Sequence, residues 1–218
     1  DRPFCTHQCL RGLAHGGAMD ENCPNVSDHG QQHVERLEFL RLVRDQLAKD
    51  RGPDADCMPL YLSGSRGSLF KVRLSSHGYT LVAKGVERPD LRYLSHENQL
   101  YDRLKAIQGK HVPVCLGMID LVRPCYYDSG VFVHFMFLSW AGRPLFQCAG
   151  QVSRADVVDE VTIAFKKLHV LRVLHRDAKP RNLLYDPKTR TLMVVDFERA
   201  EFRERQPLGP ISPNGQRK

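Results

Sequence analysis

Three residues in the last quarter of the chain combine types and spacing that can do chemistry. In "HRDAKPRN", Asp177 and Asn182 stand five residues apart, on a segment whose proline rules out a simple helix. Asp196 follows fourteen residues later, directly after the apolar run "LMVV". Charged groups between apolar flanks cost free energy unless they are paired or reacting. A carboxylate and an amide brought together by a hairpin make a hard-oxygen site suited to Mg²⁺. Asp177 is then free to position or deprotonate a hydroxyl.

A second constellation lies at the other end. The head reads Cys5-x3-Cys9-x13-Cys23-x5-His29-x3-His33. Tetrahedral zinc sites need four nitrogen or sulfur ligands, and small clusters of this kind suit segments with little core of their own. Cys5, Cys9, Cys23 and His29 are the candidate ligands of a structural zinc, with His33, His7 and His15 as spares. A loop with incidental Cys and His is the alternative, because spacing alone supports the metal.

Elements that could position these groups follow from periodicity. Val34, Leu37, Leu40, Val43 and Leu47 recur at spacings of three and four, which predicts an amphipathic helix ended by Gly52 and Pro53. "MPLYLSG", "SLFKVRL" and "YTLVAKG" predict three strands, with a turn at "SHGY". "RYLSHENQLYDRLKAIQG" predicts a helix with Tyr93, Leu94, Leu100, Leu104 and Ile107 on its apolar face. Strands follow around 117–122 and 131–138. A long helix over 154–170 carries Val157, Val161, Phe165 and Leu168, with Ser153 and Asp156 at its start. "NLLYD" and "TLMVVDF" predict a hairpin joined through "PKTR". The first 33 residues show neither helical nor strand periodicity.

"HRDAKPRN" matches the catalytic loop of protein kinases, and "VVDFE" resembles their metal-binding strand end. "LVAKG" resembles the strand with the ATP-binding lysine, here Lys84. "SHENQLYDRL" is similar to the helix that carries its glutamate partner, here Glu97. "LSGSRGSLFKVRL" lies where a glycine-rich phosphate loop belongs, with Gly64 and Gly67. "FLSWAGRPL" resembles the hinge between lobes, where backbone groups at Ser139 and Ala141 would hold adenine. The resemblance runs from about Leu60 to Ala200, with the parts in kinase order. It implies an α+β, two-lobed protein-kinase-like fold with an antiparallel β-sheet N-lobe, one key helix and a reduced helical C-lobe. It further implies ATP and Mg²⁺. Lys84 would hold the phosphates, Glu97 would hold Lys84, and Asn182 and Asp196 would hold the metal. Asp177 would orient the acceptor hydroxyl, Lys179 would offset charge on the moving phosphoryl group, and His175 would be scaffold.

The pattern also departs from the family. Phe70 falls where the last glycine of the loop is expected. Glu198 replaces the glycine of the metal motif, as in aminoglycoside phosphotransferases and choline kinases, whereas Lys179 and Pro180 look like protein Ser/Thr kinases. The stretch between Lys84 and Glu97 is short. Only twenty residues follow Glu198, with no "APE" among them, so Arg176 is expected to lack the phosphorylated loop it would normally pair with. The outline is similar to RIO-type atypical kinases. "CPN" and "VVDFERA" resemble fungal kinase-like proteins of unknown role.

These features divide the chain into a Cys/His-rich head (1–33), an amphipathic helix and linker (34–57), an N-lobe (58–140), a reduced C-lobe (141–200) and a basic tail expected to be disordered (201–218). Composition supports a globular protein, with 42% hydrophobic and 26% charged residues. No apolar run reaches the ~20 residues of a membrane span. A net charge of +7 suits anionic partners such as nucleotides, nucleic acid or acidic substrates, and equally a solvated basic surface. The chain contains no Lys/Arg block of five, so nucleic acid is not favoured. Seven cysteines, an odd number not spaced like a small secreted scaffold, with Cys57, Cys115, Cys125 and Cys148 single and mostly in apolar company, fit a reducing compartment, cytoplasmic or nuclear. The expected activity is an ATP- and Mg²⁺-dependent phosphotransferase acting on a Ser/Thr hydroxyl. Alternatives are a pseudokinase acting as a nucleotide-binding or scaffolding module, and a small-molecule kinase. The acceptor, protein or small molecule, is not specified by the sequence.

Overall fold

The computed structural model describes residues 2–49, 55–64, 66–148 and 153–204. In chain order these form α1 (His7–His15), α2 (Arg36–Lys49), β1 (Cys57–Ser63), β2 (Gly67–Leu74), β3 (Tyr79–Val86), α3 (Leu91–Arg103), β4 (Cys115–Tyr127) and β5 (Gly130–Leu138). Then come β6 (Arg143–Pro144), α4 (Arg154–Val170), β7 (Val173–Leu174), β8 (Leu183–Asp186), β9 (Thr191–Val194) and β10 (Glu201–Phe202). The first lobe is a five-stranded antiparallel sheet in the order β1-β2-β3-β5-β4. Strand β2 alternates in burial, sending Phe70, Val72 and Leu74 inward, as a strand with one covered face must. Strand β3 is buried almost throughout, as befits a central strand covered on both faces. The second lobe is smaller and combines α4 with the ladder β6-β8-β9 and the pair β7-β10.

Among the described residues two large apolar clusters organise the fold, and a small third one gathers Cys148, Tyr185 and Leu192 in the second lobe. One joins Leu10 and Leu13 of α1, Phe39 and Val43 of α2, and Phe70, Tyr79, Leu116 and Phe137 of the sheet. The other joins Leu94, Leu100 and Tyr101 of α3 with Met136, Leu168, Val194 and Phe197, and so crosses between the lobes. Tyr101 meets Phe197 edge-on, with ring centroids 5.3 Å apart. Aromatic pairs of this geometry add about 0.5–1.5 kcal/mol to the burial of their surface.

Several expectations are corrected. The head is not without regular structure: α1 starts at the cap Thr6, whose hydroxyl accepts the Cys9 N–H at 3.1 Å. Nine residues span too few turns for periodicity to stand out. In α2 Phe39 and Val43 are fully buried and Leu40 and Leu47 pack against the same cluster as expected, whereas Leu37 is 70% exposed and Val34, though packed on the cluster, precedes the helix. The proposed terminators Gly52 and Pro53 lie outside the described residues, as does the tail from 205. Helix α3 stops at Arg103 and hands over to a 3₁₀ turn at Lys105–Ile107. Its buried set includes Tyr101, while Tyr93 is only half-buried. Strand β4 runs on to Tyr127, five residues past the expected end, through a register shift between Asp120 and Cys125.

Candidate functional site

A cleft of about 590 Å³ opens between the lobes, lined by Lys84, Glu97, Ser139, Ala141, Asn182 and Asp196 among others. Lys84 sits on β3 opposite Leu69 of β2 and Met136 of β5, so a central strand fixes its backbone. Its Nζ donates to Glu97 Oε2 at 2.6 Å and to Asp196 Oδ1 at 3.1 Å. Burial alone would lower the pKa of this ammonium, but Glu97 and Asp196 outweigh it and hold the group above the usual lysine value. The Glu97 side chain is 2% exposed, and its second oxygen accepts the Phe197 N–H at 3.2 Å. One carboxylate from α3 therefore binds both the lysine and the backbone beside Asp196. Asp196 itself has φ +69°, a left-handed conformation that costs a non-glycine residue energy and that clusters at functional sites.

Beneath this triad, the loop after β7 positions Asp177 and Asn182. A 3₁₀ turn over Pro180–Asn182 bends the chain back, and the Asn182 Nδ2 donates to Asp177 O at 2.9 Å and Asp177 Oδ2 at 3.3 Å. The Val195 N–H donates to Asn182 O at 3.0 Å, bringing Asn182 and Asp196 side by side in the cleft. Lys179 lies 3.2 Å and Arg181 2.8 Å from the Asp177 carboxylate. Burial opposes ionisation of Asp177, but Lys179, Arg181 and Arg199 hold its pKa below the ordinary aspartate value. His175 is buried, with Nε2 2.8 Å from Val195 O and its ring against Phe197, and its contacts are those of a scaffold residue. Arg176, expected to lack a phosphorylated loop to pair with, pairs instead with Glu201 of β10 at 3.0 Å.

Gly64 and Gly67 form the β1–β2 loop, closed by a 2.8 Å bond from Gly64 N–H to Gly67 O. A Cβ at Gly67 would collide with Gly85 O, so glycine is what lets this loop lie on β3. Phe70 is not part of the loop surface. It is 1% exposed and stacks on Phe135 at 5.1 Å. Arg66, which motif reading passed over, reaches from the loop to Glu198 at 3.3 Å and Asp90 at 3.5 Å and lies 3.9 Å over the Tyr93 ring. Glu198, placed where the family has glycine, thereby ties the upper loop to the lower lobe. The charged "GSRG" beside that unusual glutamate was the available signal. Gly142, just past the hinge, has φ +97°, and a Cβ there would collide with Tyr185 O.

The head gathers its own cluster. Ligand atoms of Cys5, Cys9, Cys23 and His29 all lie within 4.8 Å of one another, and all four residues are buried. The three sulfurs stand 3.6, 3.3 and 3.3 Å from His29 Nε2. A tetrahedral zinc with ordinary Zn–S and Zn–N lengths has S···N edges of ~3.5 Å. His29 Nδ1 bonds His77 O at 2.7 Å, and the Thr80 N–H and Asn25 Nδ2 approach Cys5 Sγ at 3.3 and 3.4 Å. These outer contacts orient ligands in the way metal sites require. The spare histidines lie elsewhere: His33 bonds the Tyr79 hydroxyl, His15 bonds Gln108 and His7 bonds Ser139.

The family model described as lipopolysaccharide kinase (Kdo/WaaP) matches residues 142–207. The meiotic driver SPOK2 of Podospora anserina is 35% identical over 213 residues, a match covering 92% of this chain and 26% of that protein. A probable cell division control protein 7 homolog 2 of Encephalitozoon cuniculi is 23% identical over 141 residues, covering 65% of this chain and 38% of the relative. The chain thus spans only about a quarter to two fifths of these relatives' lengths. These similarities, with the ordered motifs and the two-lobed architecture, support a kinase-like chain of atypical form with a reduced protein-kinase-like fold.

Proposed function

We propose that this domain is an ATP- and Mg²⁺-dependent phosphotransferase that phosphorylates a Ser/Thr hydroxyl. The observation that carries the reading is the Lys84–Glu97–Asp196 triad, which joins both lobes in the cleft that Asn182 also lines. The donor set fits Mg²⁺: Asn182 uses Nδ2 on Asp177, which leaves Oδ1 as its acceptor, and Asp196 adds a carboxylate. When bound, the metal supplies charge neutralisation at phosphate oxygens. Lys84 would bind the nucleotide phosphates, with Glu97 fixing its position. Asp177, ionised at neutral pH, would accept the hydrogen bond and then the proton of the acceptor hydroxyl. Lys179 and Arg181, now on Asp177, would stabilise charge on the transferred group. Lys179 and Pro180 support a Ser/Thr acceptor. A second reading, a sugar or other small-molecule hydroxyl, is favoured by the lipopolysaccharide kinase match over 142–207 and by Glu198.

The Cys/His cluster suits a structural Zn²⁺, supported by its buried four-atom N/S donor set and outer hydrogen bonds. None of the seven cysteines is in a disulfide, which supports a reducing compartment, cytoplasmic or nuclear. No helix among the described residues is long and apolar enough to cross a membrane.

The test is thermal shift with ATP and Mg²⁺ together with ATP turnover, on wild type, Lys84→Ala, Asp196→Ala and Asp177→Asn. The proposal expects nucleotide stabilisation that Lys84→Ala and Asp196→Ala remove, and turnover that Asp177→Asn abolishes while binding persists. A wild type that ATP does not stabilise sinks the enzyme reading. Stabilisation without turnover, unchanged in Asp177→Asn, assigns a nucleotide-binding scaffold instead.

A further inference from the structure

The head and the hinge touch at two points that neither a zinc site nor a kinase fold requires. Phe4 stacks flat on Trp140, with ring centroids 4.9 Å apart and planes 2° apart. His7 Nδ1 lies 2.8 Å from Ser139 Oγ. That same oxygen accepts the Val114 N–H at 2.9 Å, and the Ser139 N–H donates to Val114 O at 2.9 Å. Ser139, Trp140 and Ala141 all line the cleft, on the side where the hinge would meet a nucleotide base. The two contacts flank Cys5 immediately: Phe4 precedes it and His7 follows two residues later. Residues 2–6 carry no helix or strand, so their position rests on contacts such as the Cys5 N–H to Thr80 O bond of 2.9 Å and on Cys5 itself.

We infer that the head is part of the nucleotide site: Phe4 and His7 are positioning residues that hold the hinge segment Ser139–Ala141 in register to receive the base. This rests on the nucleotide-binding reading above. The head backs the hinge from outside the cleft. Its Cys/His cluster fixes the segment on which both contacts sit. Loss of either contact leaves Lys84, Asp177, Asn182 and Asp196 where they are and loosens only the base-facing wall. The consequence is a selective one, because ligands that use the phosphate end alone do not need the hinge.

The experiment measures Mg²⁺-dependent binding of ATP and of inorganic tripolyphosphate to the full chain by calorimetry. It compares wild type, Phe4→Ala, Phe4→Tyr, His7→Ala and His7→Asn, with bound metal and unfolding midpoint recorded for each. The inference expects Phe4→Ala and His7→Ala each to weaken ATP about three- to tenfold, with tripolyphosphate affinity and metal content unchanged. Phe4→Tyr and His7→Asn restore ATP binding, since the first keeps the stack and the second keeps a polar atom near Nδ1. Equal losses for ATP and tripolyphosphate, or ATP binding at wild-type strength in both alanine variants, overturn the inference while leaving the nucleotide site standing. A wild type that binds neither ligand overturns the inference together with the reading beneath it.

Discussion

Replacing Glu97 by Gln changes one oxygen to an amide nitrogen and leaves volume almost untouched. In the native site one oxygen takes the Lys84 ammonium at 2.6 Å and the other takes the Phe197 N–H at 3.2 Å. Both partners are donors, and a Gln side chain has only one acceptor. If its oxygen faces Phe197, its NH₂ opposes the ammonium, and if it turns, it opposes the backbone N–H instead. Breaking a buried pair by neutralising one member costs about 3–5 kcal/mol. Lys84 keeps Asp196 at 3.1 Å and is 16% exposed, which offsets part of that, so the expected loss is about 2–3 kcal/mol. For a chain of this size that lowers the melting temperature by roughly 5–10 °C. Urea unfolding of wild type, Glu97→Gln, Lys84→Met and the double variant measures it. The cycle should return a coupling of at least about 1.5 kcal/mol, because with Lys84→Met no ammonium is left to confront the amide. A loss below about 0.5 kcal/mol with no coupling refutes the claim that Glu97 anchors Lys84 in the triad that joins the lobes.

Other outcomes follow from the same geometry. Phe70→Ala should cost about 3–5 kcal/mol by emptying a core position packed by Phe132, Phe135 and Tyr127. Phe70→Gly should not strengthen nucleotide binding, and a gain measured by calorimetry would return Phe70 to the phosphate loop. Elemental analysis should find one zinc per chain, and Cys23→Ser should lose it and unfold at lower temperature; equal metal content in both proteins contradicts the cluster's role. Because the Asp177 pKa is depressed on folding, its contribution to stability is present above its unfolded value of about 4 and is lost as pH falls through the lower folded value. Unfolding curves of Asp177→Asn and wild type should therefore differ at pH 7 and converge toward pH 2; a constant gap would place the effect elsewhere.

Much of the cleft was legible because chemistry restricts residue choice more tightly than packing does. Lys84, Glu97, Asn182 and Asp196 stand out by functional group, and the structure brings them to one cleft, with Asp177 bonded to Asn182 beside it. Cys5, Cys9, Cys23 and His29 likewise announce themselves by type, and they meet although 24 residues separate Cys5 from His29. Residues that work by shape were harder to read. Phe70 occupied a motif position, yet strand alternation sends its ring inward, and a one-dimensional pattern does not say which face of β2 the motif rides on. Leu37 satisfied helical spacing but sits at the first turn, where nothing packs over it. The Arg66–Glu198 contact spans 132 residues, and long-range pairs of common charged residues leave no local trace. Arg176 shows the same limit, since its partner Glu201 depends on the pairing of β10 with β7.

The apolar cluster shared by α1, α2 and the sheet has a bearing on how such a domain can be moved between proteins. A composition break near residue 33 looks like a seam at which the two lobes could be separated from the head. Cutting there would strip Leu10, Leu13 and the cysteines from Phe39 and Tyr79 and expose an aromatic surface prone to self-association. A copy that lacks Cys5–His33 should therefore be recovered from cells as aggregate rather than as a smaller folded domain.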